Sequence, residues 1–243
     1  LYQLGTLGGG NHFIEIQKGS DGHIWVMIHS GSRNLGYKVA NQYNEEANEL
    51  NEKWHTSVPK EHQLAFLPVD SQLGKEYMTE MNYCVDFALA NRKLMMDRIL
   101  DIFGVEHDPM INIAHNYASL ENHFGKNVFI HRKGATLARE GTVGIIPGSM
   151  GTKSYIVEGL GNKESFESCS HGAGRKMGRG EAIRSLNLEE EQAKMEGVLG
   201  KPRTQQDLEE APGAYKDIDV VMDNQKDLVK ILVELRPLGV IKG

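Results

Sequence analysis

His12-Phe13-Ile14-Glu15-Ile16-Gln17 and Ile24-Trp25-Val26-Met27-Ile28-His29, with Gly19-Ser20-Asp21-Gly22 between them, are the stretch that decides the fold class. Both runs are short and rich in strand-forming residues, and the Gly/Ser/Asp cluster is turn chemistry, so they read as paired strands. One run begins on a histidine and the other ends on one. Working outward, Lys38 to Trp54 and Gly74 to Phe103 carry a helical period. The second shows Tyr77, Met81, Val85, Ala88, Met95 and Ile99 on a stripe interrupted by Arg92, and a Met-rich stripe of this kind reads as core. Residues 111–117, 127–131, 136–146 and 154–158 return to short β-like runs bounded by Gly, Pro and Asn. Helical pattern resumes from Gly180 to Leu199 and from Asp217 to Leu235, on either side of the polar, Pro-containing stretch from Lys201 to Gly213. Together these predict an α+β class over residues 1–243, in a single domain whose short mixed β-strands form the site and whose helices lie at the periphery.

Composition narrows the function classes. The 243 residues are 40% hydrophobic and 25% charged, with 27 Gly and 2 Cys, enough to bury a core without disulfides. Cys84 and Cys169 therefore read as reduced thiols of an intracellular, cytoplasmic protein. Apolar runs such as Ile24 to Ile28 fall far short of the roughly 20 residues that cross a bilayer, so no membrane role is expected. The chain starts at Leu1 within an apolar, Gly-rich stretch and reads as a piece of a longer protein. A formal charge of −6 argues against a generic nucleic-acid binder. The charge is uneven, however. His131 to Arg184 holds nine Lys/Arg against five Glu, a net of +4, while the rest carries −10; the same stretch holds 11 of the 27 glycines. Dense glycine lets backbone N–H groups approach an anion, and the local charge favours one.

Three segments set a histidine at the edge of an apolar run: Gly8-Gly9-Gly10-Asn11-His12, Ile28-His29-Ser30-Gly31-Ser32-Arg33 and Ile113-Ala114-His115-Asn116-Tyr117. Imidazoles at such borders serve either as metal ligands or as hydrogen-bonded loop residues, and their spacing matches no local zinc pattern. In Ser170-His171-Gly172-Ala173-Gly174-Arg175, a neutral imidazole between small residues is suited to attack phosphorus, with Arg175 or glycine N–H groups holding the phosphate oxygens. Pro147-Gly148-Ser149-Met150-Gly151-Thr152-Lys153-Ser154 reads as a turn or an anion loop, without the Walker A ending.

The strings LGTLGGGNHFIEI, IHSGSRNLG, HNYASLENHFG, RKGAT, GIIPGSMGTKSYIV, GLGN, SCSHGAGR, AYKDID and the final IKG run in order from Leu4 to Gly243, and together they resemble the RtcB family of RNA ligases. The resemblance implies an RtcB-like ligase domain of which residues 1–243 are the larger, C-terminal part. It implies a GTP- and Mn2+-dependent enzyme, with two manganese ions in the intact protein, that joins RNA 3′-phosphate or 2′,3′-cyclic phosphate ends to 5′-hydroxyl ends in tRNA splicing or RNA repair. On the matching positions, His171 is the nucleophile that takes GMP, and His12, His29 and His115 are manganese ligands. The guanylate-binding positions are Asn11, His12, Phe13, Ile14, Glu15, His115, Asn116, Pro147, Gly148, Ser149, Met150, Ser154, His171, Gly172, Ala173, Gly174 and Lys242. The family's N-terminal portion, with an Asp and a metal-bridging Cys, has no counterpart here, and neither Cys84 nor Cys169 fits that motif. Two other readings stay open: a guanylyltransferase or hydrolase that does not seal RNA, and an inactive RNA- and metal-binding fragment.

Overall fold

The computed structural model describes residues 2–106 and 110–243, so the expectation resting on Leu1 lies outside them. The chain forms two compact units: residues up to Thr6 with Ser30–Met95, and Leu7–His29 with Met96–Gly243.

The first unit is built on α1 (Leu35–Lys53) and most of α2 (Gln72–Phe103). Tyr43, Ala47 and Asn51 recur on one face of α1, and Met81, Cys84, Asn91 and Met95 on one face of α2, as helical spacing requires. Tyr43 meets Tyr77 with ring centroids 5.2 Å apart. Cys84 is buried, a packing residue of α2. Asn91, fully buried, accepts from the N–H groups of Gly5 and Thr6 and donates to Thr6 O and Ser30 Oγ. Arg92 interrupts the apolar stripe because its guanidinium donates to Ser30 O at 3.0 Å.

The second unit carries the sheet. β1 (Phe13–Gly19) and β2 (Ile24–His29) pair antiparallel, with Phe13 opposite His29. They continue a five-stranded sheet in the order β2-β1-β9-β7-β6, where β6 is Val143–Ile146, β7 Ser154–Gly159 and β9 Val229–Lys242. Two smaller ribbons join β3 (Asn116–His123) to β4 (Lys126–Lys133), and β5 (Ala135–Leu137) to β8 (Ser168–Ser170). Among the described residues all these strand pairings are antiparallel. The main core joins Ile146, Tyr155, Val157, Cys169 and Ala173 to Ile218, Met222 and Val229. No helix of the described residues is long and apolar enough to cross a membrane.

Three expectations change. The run from Asp217 to Leu235 is not one helix: α5 covers Ile218–Asp223, and the chain then becomes β9. β-Branched Val229, Ile231, Val233, Val240 and Ile241 favour a strand between β1 and β7. Pro237 falls where the β1 register shifts between Ile16 and Gln17, a place that tolerates its missing N–H. The run from Gly180 to Leu199 breaks into α3 (Arg179–Ser185) and α4 (Leu188–Ala193), because Leu186 is extended and Asn187 caps a new start by accepting from Glu190 N. Residues 111–115 are not strand; pairing begins at Asn116.

Candidate active site

β1 sets its side chains alternately, so Phe13, Glu15 and Gln17 share one face while Ile14 points to the other. His12 immediately precedes β1 and His29 ends β2. The rings of His12 and His29 lie 5.7 Å apart, those of His29 and His115 5.3 Å, and those of His115 and His171 5.2 Å. The Nε2 atoms of His29 and His115 face each other at 3.3 Å. Burial, reinforced by the neighbouring His115 and His12, pushes the His29 imidazolium down to about 3, so the ring is neutral at ordinary pH. Neutral imidazole nitrogens turned toward one space are the donor set a divalent transition metal takes.

His171 is oriented by Gly134. A carbonyl can only accept, so the 2.7 Å contact between His171 Nδ1 and Gly134 O puts a proton on Nδ1, and in the neutral ring the lone pair is then on Nε2. Gly134 N also donates to His115 O at 3.2 Å, which ties the two histidines through one residue. That residue has φ +73°, a conformation that a side chain disfavours.

Glu15 lies beyond the histidines, buried on both sides of the sheet register between Met27 and Val240. Gln17 Nε2 donates to Glu15 Oε2 at 2.6 Å and to Ser154 Oγ at 3.2 Å, and Ser154 Oγ accepts from Gly148 N at 3.1 Å. β9 brings Lys242 opposite Phe13, its ammonium 5.6 Å from the ring centroid and 3.8 Å from Glu210 Oε2. Burial outweighs Lys242 and Gln17 and raises Glu15 to about 8, while burial lowers Lys242. A carboxyl of this kind is neutral when alone and charged when donors face it.

Glu210, Gln17, Arg179 and Tyr215 are members that sequence reasoning missed. Glu210 accepts from Arg175 Nη1 at 3.1 Å, Arg179 Nε at 3.0 Å and the Tyr215 hydroxyl. Burial alone would raise its carboxyl, but Tyr215, Lys242 and the two arginines hold it below the usual range. The available signal was Thr204-Gln205-Gln206-Asp207, a capping pattern at the start of the 3-10 turn Gln205–Glu210, where Asp207 accepts from Thr204 N.

One expectation about phosphate needs revision. Arg175 is not left for a phosphate: its donors go to the Glu210 carboxylate, Tyr215, Glu209 O and Met177 O. Of the two readings of Pro147–Ser154 the hydrogen bonds favour the turn, Gly148 N donating to Ser154 Oγ and Ser149 N to Thr152 Oγ1; in the His171 segment Gly172 N donates to Ser170 Oγ and Ala173 N to Pro147 O. Met150 packs with Met195, Val198 and Val240 as core. Asn11 and Asn116 are exposed beside their histidines, and Gly174 takes φ +71°.

Glu121, His123 and Glu167 also offer ligand atoms within 4.8 Å of one another. Arg132 pairs both oxygens of Glu121, however, and Arg139 donates to Glu167 at 2.9 Å. Two guanidiniums already balance the charge that would attract a cation.

The family described as "RtcB: tRNA-splicing ligase RtcB" matches residues 1–243. The RNA-splicing ligase RtcB of Escherichia coli strain K12 is 39% identical over 99% of this chain and 61% of its own length. The Mycobacterium bovis protein of that name is 33% identical over the whole chain and 65% of its own length. The tRNA-splicing ligase RtcB of Pyrobaculum aerophilum is 35% identical over 99% of this chain. The chain thus spans about three fifths of the length of these relatives. With a match from end to end and a histidine cluster drawn from all three histidine-bearing segments, the chain belongs to the RtcB family.

Proposed function

We propose that this chain supplies the nucleotide-accepting and part of the metal-holding machinery of a GTP-dependent RNA ligase. Its substrates are RNA 3′-phosphate or 2′,3′-cyclic phosphate ends and 5′-hydroxyl ends, and its setting is the cytoplasm. One observation carries the reading: the Gly134 carbonyl fixes the His171 tautomer, so that a lone pair on Nε2 stands beside the His115–His29 pair. That lone pair attacks the α-phosphorus of GTP. A P–N bond forms, the bond to the bridging oxygen breaks, and pyrophosphate leaves. The family relatives' names, which specify RNA splicing and tRNA splicing, support RNA as the acceptor.

His12, His29 and His115 would hold manganese, which when bound supplies positive charge against the phosphate oxygens. The neutral His29 imidazole, with His115 Nε2 3.3 Å from its own, fits that ion. Neither cysteine completes the set: Cys84 is buried within α2, and Cys169 faces Thr136 Oγ1 at 3.2 Å. Glu15 would accept from guanine N1–H and the exocyclic amine, and Lys242 would face the guanine O6. This gives the raised carboxyl the donors it lacks.

The test is covalent labelling of the full-length protein with α-labelled GTP and manganese. The label is expected to be acid-labile and base-stable and to disappear in His171→Ala. Undiminished labelling of that variant removes His171 from the mechanism. Adding RNA with the stated ends then separates ligation from a guanylyltransferase that forms the adduct without sealing.

A further inference from the structure

The β3–β4 ribbon does more than present His115. In an antiparallel pair, directly opposed residues share a face, and the register pairs Tyr117 with Arg132, Ala118 with His131, Leu120 with Phe129 and Asn122 with Asn127. One face is therefore led by Arg132, which is almost fully buried and donates to Ser168 Oγ and Phe166 O as well as to Glu121. That face is fastened to the β5–β8 side of the unit. The other face runs from Lys133 through His131 and the Leu120–Phe129 pair to Asn122–Asn127, and it carries no acidic side chain. Lys133, His131, Asn122 and Asn127 are exposed, and Leu120 is 59% exposed, unusual for a leucine in a strand.

The ribbon is held at both ends. At its root, Lys133 is followed by Gly134, the residue bonded to both His115 and His171. At its tip, the Phe124 ring packs edge-on to Phe166 at 5.6 Å, and both phenylalanines have positive φ, an uncommon conformation for a bulky side chain. Ala118 on this face is buried beneath the exposed rungs and Phe129 is half-buried. A strip with basic, aromatic and amide groups on a largely exposed face, anchored on the other and leading to the nucleophile, has the features of a single-strand platform. Its four side-chain rungs stand about 7 Å apart, a step that one nucleotide of an extended strand can span.

We propose that this outer face of the β3–β4 ribbon is the track for single-stranded RNA, with the reacting end at the Lys133–Gly134 root and bases stacking on His131 and Phe129. The chemistry favours RNA over a protein partner because Lys133 puts a cation at the root, the face carries no acidic side chain, and the His131 and Phe129 rungs lie between rungs with amide groups. This rests on the ligase reading above and extends it to the substrate's course.

The experiment uses the full-length protein and fluorescent single-stranded RNA carrying a 3′-phosphate, with affinity read by anisotropy as the strand is lengthened. Affinity is expected to rise until the strand covers the rungs, at about four nucleotides, and then to level off. Phe129→Ala is expected to weaken the longer strands about tenfold while leaving a dinucleotide unchanged. Lys133→Glu is expected to weaken RNA binding and to reduce the slope of log affinity against log salt by about 0.7 or more. Lys133 is exposed, so its variant keeps the test decisive if Phe129→Ala fails to fold. Wild-type affinity for both variants overturns the track. GTP labelling of the wild type without RNA tests the ligase reading separately: labelling with no ribbon effect sinks only the track, whereas absent labelling sinks the ligase reading on which the track rests.

Discussion

Glu15 and Glu121 are both withdrawn from water in the second unit, and their surroundings move them in opposite directions. Glu121 is met by Arg132, supported by Ser119 and His123, and held down at about 2. Burial takes Glu15 up to about 8, against the Lys242 charge and, to a smaller extent, the amide of Gln17. A bidentate guanidinium compensates a buried carboxylate within the fold, which makes that group part of the frame. One amide donor and the Lys242 charge do not offset burial at Glu15, and the remaining demand is left to whatever enters the site. On the function proposed above, the difference separates a carboxylate that stabilises the ribbon from one that would serve recognition.

The comparison breaks most visibly if Arg132 is dispensable. Arg132→Met leaves Glu121 buried without its partner and is expected to cost about 3–5 kcal/mol in urea unfolding. A loss under about 1 kcal/mol would show that Glu121 is not held by this pair.

On the recognition side, each charged hydrogen bond to guanine is worth about 1.5–3 kcal/mol. GTP should therefore label the full-length protein at least about tenfold better than ATP, and Glu15→Ala should narrow the gap. Equal use of both nucleotides by the wild type would remove Glu15 from base recognition.

Stability against pH sharpens the contrast, since the two signs oppose. Glu121, depressed on folding, contributes stability that is present above its unfolded value near 4.5 and is lost as pH falls toward about 2. Glu15, raised on folding, contributes stability that is full below about 4.5 and is lost as pH rises through about 8. Glu15→Gln should therefore exceed the wild type at pH near 9 by roughly 1–3 kcal/mol, and match it more closely in acid. Unfolding curves that keep the same alkaline decline in the variant would assign that decline to another group.

The smallest expected effect belongs to Lys242. Its charge lowers Glu15, so Lys242→Met should move the Glu15 carboxyl titration upward from about 8. Carboxyl carbon NMR reads this directly, and an unmoved titration would mean the ammonium does not act on Glu15.

Local signals were legible where one segment contained the whole cause. The turn from Gly19 to Gly22 fixed β1 against β2, and helical spacing fixed α1 and α2 to within a few residues. β9 was not legible from its own residues, because apolar groups from Val229 to Leu235 suit either period until β1 and β7 flank them. The histidines could be singled out one at a time, but their convergence joins positions as far apart as His12 and His171 and was suggested by family resemblance. Glu210 was overlooked because its importance lies in what surrounds it: Arg175 and Arg179, Tyr215, and Lys242 arrive from three separate places in the chain.

The position of β9 has a consequence for how the protein acquires its site. Phe13 is hydrogen-bonded to a strand that ends at Lys242, so the middle of the sheet closes nearly the entire length of the chain into one loop. Contacts of such separation must offset their loop-closure entropy before they return any stability, and they form late and slowly. Until β9 inserts, the edge of β1 is bare and Glu15 has neither Lys242 nor its covering strand. The unfinished protein thus presents an adhesive strand edge in place of a binding site, and conditions that slow this last closure should favour aggregation over partial activity.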